Sequence, residues 1–134
     1  MRSMILATAG FTILSLMPAP AAGEGPVRGL TRIGQCVPSR IKWVGTRLED
    51  GVTKKPVDGS GSAFSLVNGV YGVSYEQVPA VDRSRRGDPV RVCLAFIPTD
   101  CPKGDLRGRE YKVTNLRTRQ SWRLPDAEHG CGGA

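Results

Sequence analysis

The feature that most constrains this 134-residue chain is a set of four cysteines, all downstream of an apolar N-terminal leader: Cys36, Cys93, Cys101 and Cys131. An even number of cysteines in an exported chain is typical of structural disulfides, because the compartments outside the cytosol are oxidising. We therefore expect a small exported domain that is held together by two disulfides.

The leader has the three parts of a secretory signal. Arg2 supplies the positive charge, Met4–Met17 is an apolar run, and Ala19 and Ala21 place small residues at a cleavage site. The apolar run is shorter than the ~20 residues that a transmembrane helix needs. The pattern predicts a signal peptide over residues 1–21, a mature chain without a transmembrane segment, and a periplasmic or secreted location.

A cut after Ala21 leaves a length that suits one domain. We expect a flexible N-terminal arm over residues 22–31, which is rich in Gly, Pro and charge, and a single β domain over residues 32–134. The formal net charge of +7 concerns association and not fold. Outside the cytosol nucleic acid is not an expected partner, which leaves an anionic glycan, a lipid or an acidic protein. The sequence does not indicate an oligomeric state.

The strongest strand signal is a hairpin over residues 62–75 with Asn68-Gly69 at its centre. Asn-Gly favours a two-residue type I′ turn, because both turn positions need positive φ. The register that this turn sets places the large side chains on one face: Phe64, Leu66, Tyr71, Val73 and Tyr75. We expect that face to be buried and the opposite face to carry small residues.

Further strands are predicted over residues 40–48 and 90–97, followed by a second hairpin that pairs Val113 with Trp122. No amphipathic helix is apparent. About six short strands separated by Gly and Pro predict an all-β fold, a small disulfide-stapled barrel or sandwich.

Four cysteines allow three pairings. Extending the second hairpin outward brings Cys101 near Cys131, which leaves Cys36 to pair with Cys93. We favour this pairing. The competing arrangement joins Cys93 to Cys101, which are close in sequence but separated by a strand end and a proline.

Chemistry-bearing motifs are sparse. His129-Gly130-Cys131 resembles the catalytic cysteine segment of L,D-transpeptidases, although the arginine expected after the cysteine is missing. A cell-wall hydrolase or transpeptidase that uses Cys131 and His129 is therefore an alternative hypothesis. The chain has no C-x-x-C motif for thiol exchange or for zinc. We expect no metal or cofactor and identify no catalytic residue.

Arginines are concentrated in two segments and form the candidate anion-binding set: Arg83, Arg85, Arg86, Arg117, Arg119 and Arg123. Guanidinium groups bind carboxylate, phosphate and sulfate through paired hydrogen bonds. The alternative is that these arginines belong to solvated loops without a ligand. The binding interpretation predicts a non-catalytic interaction module for an anionic envelope or extracellular partner. A structural envelope protein with no discrete ligand is a further alternative.

Several segments carry a resemblance to other proteins: Gly87-Asp88-Pro89-Val90, Cys93-Leu94, Cys101-Pro102, Thr114-Asn115-Leu116-Arg117-Thr118 and Cys131-Gly132-Gly133-Ala134. With these segments the chain is similar to small exported bacterial proteins of unassigned function. The resemblance implies export and bacterial origin. It implies no activity, cofactor or catalytic residue.

Overall fold

The structure is a computed structural model that describes Val27 and residues 29–133. Its strands are β1 (Cys36–Thr46), β2 (Ser62–Leu66), β3 (Tyr71–Val73), β4 (Pro89–Phe96), β5 (Glu110–Asn115) and β6 (Ser121–Pro125). They form one antiparallel sheet in the order β3-β2-β1-β4-β5-β6. The predicted all-β fold with about six strands is therefore confirmed.

Within the described part of the chain the one helix is α1 (Pro79–Asp82), a single turn between β3 and β4. No described helix has the length and apolar character needed to cross a membrane. The predicted signal peptide, residues 1–21, lies outside the described residues.

The core lies inside a curled sheet whose two halves share the long strand β1. The first half of β1 pairs with β4 and its second half with β2, with a register shift between Ile41 and Trp43. The sheet curls on itself, so that the rings of Phe64 and Trp122 meet edge to face with their centroids 5.4 Å apart. Leu30, in the segment predicted as an arm, is also buried in this core.

The first hairpin is present, but its predicted register is wrong by one residue. Leu66 pairs with Val70 across a three-residue loop, and only Gly69 within that loop has positive φ (93°). A type I turn followed by a left-handed glycine produces such a loop, in place of the expected two-residue type I′ turn. Because side chains alternate between faces, the shift moves Tyr71 and Val73 away from the face that carries Phe64.

The second hairpin and both disulfides agree with the prediction. Val113 lies opposite Trp122 in the β5–β6 ladder. Cys36 bonds to Cys93, its direct neighbour in the β1–β4 ladder. Cys101 bonds to Cys131 and ties the loop after β4 to the C-terminal segment. The bridges close loops of 57 and 30 residues, which in the chain-entropy model stabilises the fold by about 4 kcal/mol each.

Candidate functional site

A buried carboxylate organises the loop that contains the first arginine cluster. The side chain of Asp88 is only 7% exposed. It accepts hydrogen bonds from the backbone N–H of Arg85 (2.8 Å), from Nδ2 of Asn115 (2.8 Å), and from Nε and Nη2 of Arg117 (2.6 and 2.9 Å). The hydrogen bonds from Arg117 are the main reason that the pKa of Asp88 lies well below its ordinary range. Asp88 is therefore an ionised anchor at neutral pH.

Asn115, at the end of β5, extends this anchor into a network between two loops. Its Nδ2 also donates to Oγ of Ser84 (2.9 Å), and its Oδ1 accepts from the backbone N–H groups of Arg117 (2.9 Å) and Thr118 (3.2 Å). All of its side-chain hydrogen-bonding atoms are thus used, as a buried amide requires. The network fixes the loop before β4 against the turn between β5 and β6.

Between these two loops lies an open depression of about 540 Å³. Its lining is mainly polar and contains three arginines and one carboxylate: Asp82, Arg83, Ser84, Arg85, Arg117, Thr118 and Gln120. Two arginines come from one loop and one from the other, so residues more than 30 positions apart in sequence converge on one concave surface.

The structure divides the six predicted arginines into two groups. Arg83, Arg85 and Arg117 line the depression, whereas Arg86, Arg119 and Arg123 do not. Arg123 forms an ion pair with Glu110. Of the C-terminal arginines Arg117, Arg119 and Arg123, only Arg117 therefore lies in this depression.

Arg117 has a structural role that its sequence position does not reveal. Its guanidinium binds Asp88 and also donates from Nη2 to the carbonyl oxygen of Arg83 (2.9 Å). Among the described residues, no carboxylate forms an ion pair with Arg83 or Arg85. These two guanidinium groups are the ones in the depression that an external anion can engage.

Sequence reasoning did not identify Asp88 or Asn115. Asn115 carries one local signal, because an asparagine at a strand end commonly bonds to the backbone N–H two residues ahead. The contact between Asp88 and Arg117 joins positions 29 residues apart. Spacing along the chain contains no signal for such a pair.

The Cys131–His129 motif is not arranged as a nucleophile and base. The sulfur of Cys131 is bonded to Cys101, and His129 is exposed.

Asp105 accepts hydrogen bonds from Arg107 and from the backbone N–H of Gly132, and thereby holds the C-terminal segment in place. Within residues 27 and 29–133, no group of three or more His, Cys, Asp or Glu side chains is placed to hold a metal ion.

No protein-family model, curated protein or solved structure matches this chain. The functional argument for the depression therefore rests on its geometry and charge.

Proposed function

We propose that the protein is an exported, non-catalytic interaction module that binds an anionic partner through the depression lined by Arg83 and Arg85. The observation that carries this proposal is a pair of guanidinium groups that form no ion pair with any described carboxylate, on a loop that the Asp88 network fixes. Two disulfides support a location outside the cytosol, either periplasmic or secreted.

The fixed loop favours binding, because a preorganised site loses little conformational freedom when a ligand arrives. Arg117 holds the carbonyl group of Arg83, and Asp88 holds the backbone N–H of Arg85. The side chains themselves stay exposed and can form paired hydrogen bonds with carboxylate, sulfate or phosphate. These groups occur on the three partner classes that the charge of the chain suggests: an acidic glycan, an anionic lipid and an acidic protein.

An enzyme acting on the cell wall through Cys131 and His129 receives no support from this geometry. A thiolate is the nucleophilic form of cysteine, and the disulfide removes it.

The test measures binding of the oxidised protein to dextran sulfate, poly-glutamate and phosphatidylglycerol vesicles. Dextran and phosphatidylcholine vesicles serve as uncharged controls, and each titration is run at low and at high salt. We expect binding to at least one anionic probe, weaker at high salt, and reduced by the double substitution Arg83→Gln/Arg85→Gln. If none of the three anionic probes binds, a structural envelope protein without a discrete ligand is the better account.

A further inference from the structure

A second surface, on the outer face of β1, β2 and β3, carries exposed aromatic rings. Trp43 lies opposite Ser65, and Ser65 lies opposite Tyr71, so two large rings flank one small residue across three neighbouring strands. Tyr75 continues the same face beyond the end of β3. The side chains of Trp43, Tyr71 and Tyr75 are 38%, 38% and 53% exposed. We call these three residues the aromatic face.

Small residues allow these rings to lie against the sheet. The central strand contributes only Ala63 and Ser65 to this face, and Gly61 precedes them. A Cβ atom at Gly45 would collide with the indole of Trp43, which therefore lies along β1 over the glycine. Ala63 is fully buried although it is on the outer face. The indole of Trp43 thus covers this part of β1, while the residue itself stays 38% exposed.

An ion pair covers one side of the Tyr75 ring at the end of the aromatic face. The guanidinium of Arg47 lies 4.3 Å from the ring centroid of Tyr75 and 3.2 Å from Oε1 of Glu128. The two charges of this pair neutralise each other. Beside Tyr75, a recess of about 300 Å³ opens between β3 and the segment after β6, with Leu124 and Glu128 in its walls.

We propose that the aromatic face binds a carbohydrate, specifically an uncharged chain of β-linked pyranose rings with equatorial hydroxyl groups. Such a ring presents C–H groups on its two flat sides, which stack on the electron-rich faces of tryptophan and tyrosine. Its hydroxyl groups project from the edge, where the carboxylate of Glu128, 38% exposed, offers an acceptor. The recess extends the site beyond the rings and has a volume at the lower limit for small-molecule sites.

Two considerations favour this ligand over other occupants. The neutral ion pair offers no attraction to a strongly charged partner. A second copy of the chain would need more contact area. Aromatic side chains bury ~150–250 Å² each, so three rings exposed to this degree offer roughly 200–320 Å² together. A stable protein interface buries about 800 Å² per partner. This site is separate from the depression and does not depend on the function proposed for it.

The experiment titrates cellohexaose and chitohexaose into the oxidised protein by calorimetry and by tryptophan fluorescence, at low and at high salt. We expect binding that does not change with salt, because no net charge is involved. Trp43→Ala and Tyr75→Ala should each weaken binding about 2- to 10-fold. The conservative variant Trp43→Phe should keep calorimetric binding and lose the ligand-induced change in fluorescence, since Trp122 is buried.

Phe96→Ala is the matched control, because Phe96 is 40% exposed on β4 and outside the aromatic face. It should bind both hexasaccharides as the wild type does, and thermal unfolding of each variant confirms that it is folded. No binding to either hexasaccharide would overturn the proposal. Equal weakening by Phe96→Ala would also overturn it, as would self-association of the wild type that Trp43→Ala abolishes in analytical ultracentrifugation.

Discussion

Replacing Arg117 with alanine should destabilise the domain strongly, because it leaves the carboxylate of Asp88 buried without its main partner. The substitution removes two charge-assisted hydrogen bonds of 2.6 and 2.9 Å. Such bonds contribute ~1.5–3 kcal/mol each, and breaking a buried ion pair costs ~3–5 kcal/mol. Asp88 is 7% exposed but Arg117 is 38% exposed, so the lower end of that range applies. We expect a loss of ~3 kcal/mol in the free energy of unfolding.

Thermal and urea unfolding of the oxidised protein measure this loss. For a domain of about 100 residues, ~3 kcal/mol corresponds to a decrease in Tm of about 12–24 °C. Arg123→Ala is the matched control, because it removes an arginine from a more exposed ion pair with Glu110. That change should cost less than ~1 kcal/mol. If the two variants are equally stable, the Asp88 network does not hold the arginine loop, and the reasoning fails.

The wild type and Arg117→Ala should differ in their loss of stability in acid. Arg117 holds the pKa of Asp88 below the ordinary value of 3.8, so the ionised carboxylate favours the folded state. This stabilisation is complete above the pKa of the unfolded chain and is lost as the pH falls through that of the folded protein. The wild type should therefore lose more stability below about pH 4 than Arg117→Ala. The pKa of Asp105 is also lowered, by Arg107, but this contribution is common to both proteins. Parallel curves of stability against pH would contradict the assignment.

Two further predictions concern the disulfides and the first hairpin. The protein denatured without reductant should show no thiol reactive towards Ellman's reagent, because all four cysteines are paired; two or more reactive thiols would contradict this. Reduction should lower Tm, because both bridges constrain the unfolded chain. Phe64→Ala should cost ~3–5 kcal/mol in urea unfolding because the side chain is fully buried. Tyr71→Ala should cost less than half as much, because Tyr71 faces outward. Equal costs would support the register expected from the sequence and refute the observed one.

The two hairpins show which parts of the fold local sequence can predict. In the second hairpin, apolar residues alternate on both strands and only one register buries them together, so the pairing of Val113 with Trp122 was predictable. In the first hairpin, the large neighbouring residues Val70 and Tyr71 alternate between the two faces, so that either register buries apolar side chains and the outcome depended on the turn. Gly69 takes the positive φ while Asn68 does not. That difference in backbone conformation adds one residue to the loop.

This single-residue difference also determines which residues form the aromatic face. It transfers Tyr71 from the expected core face to the outer face, where it joins Trp43 across Ser65. The aromatic face could not be predicted from a register that buried two of its three members, Tyr71 and Tyr75. The arginine depression was predictable only in part, because clustering along the chain identified Arg83 and Arg85, whereas the partner of Arg117 is set by tertiary contacts.

The most direct test of the proposed function compares two double variants that remove the same charge from different places. Arg83→Gln/Arg85→Gln alters the depression, whereas Arg86→Gln/Arg119→Gln alters exposed arginines that do not line it. Binding to the anionic probe with the highest affinity for the wild type is measured by calorimetry over a series of salt concentrations. We expect the first variant to bind about 5- to 30-fold more weakly, at about 0.5–1 kcal/mol for each arginine, with a flatter salt dependence. The second variant should stay close to the wild type. Equal affinities and equal salt dependences for the two variants would contradict the claim that the depression is the binding site.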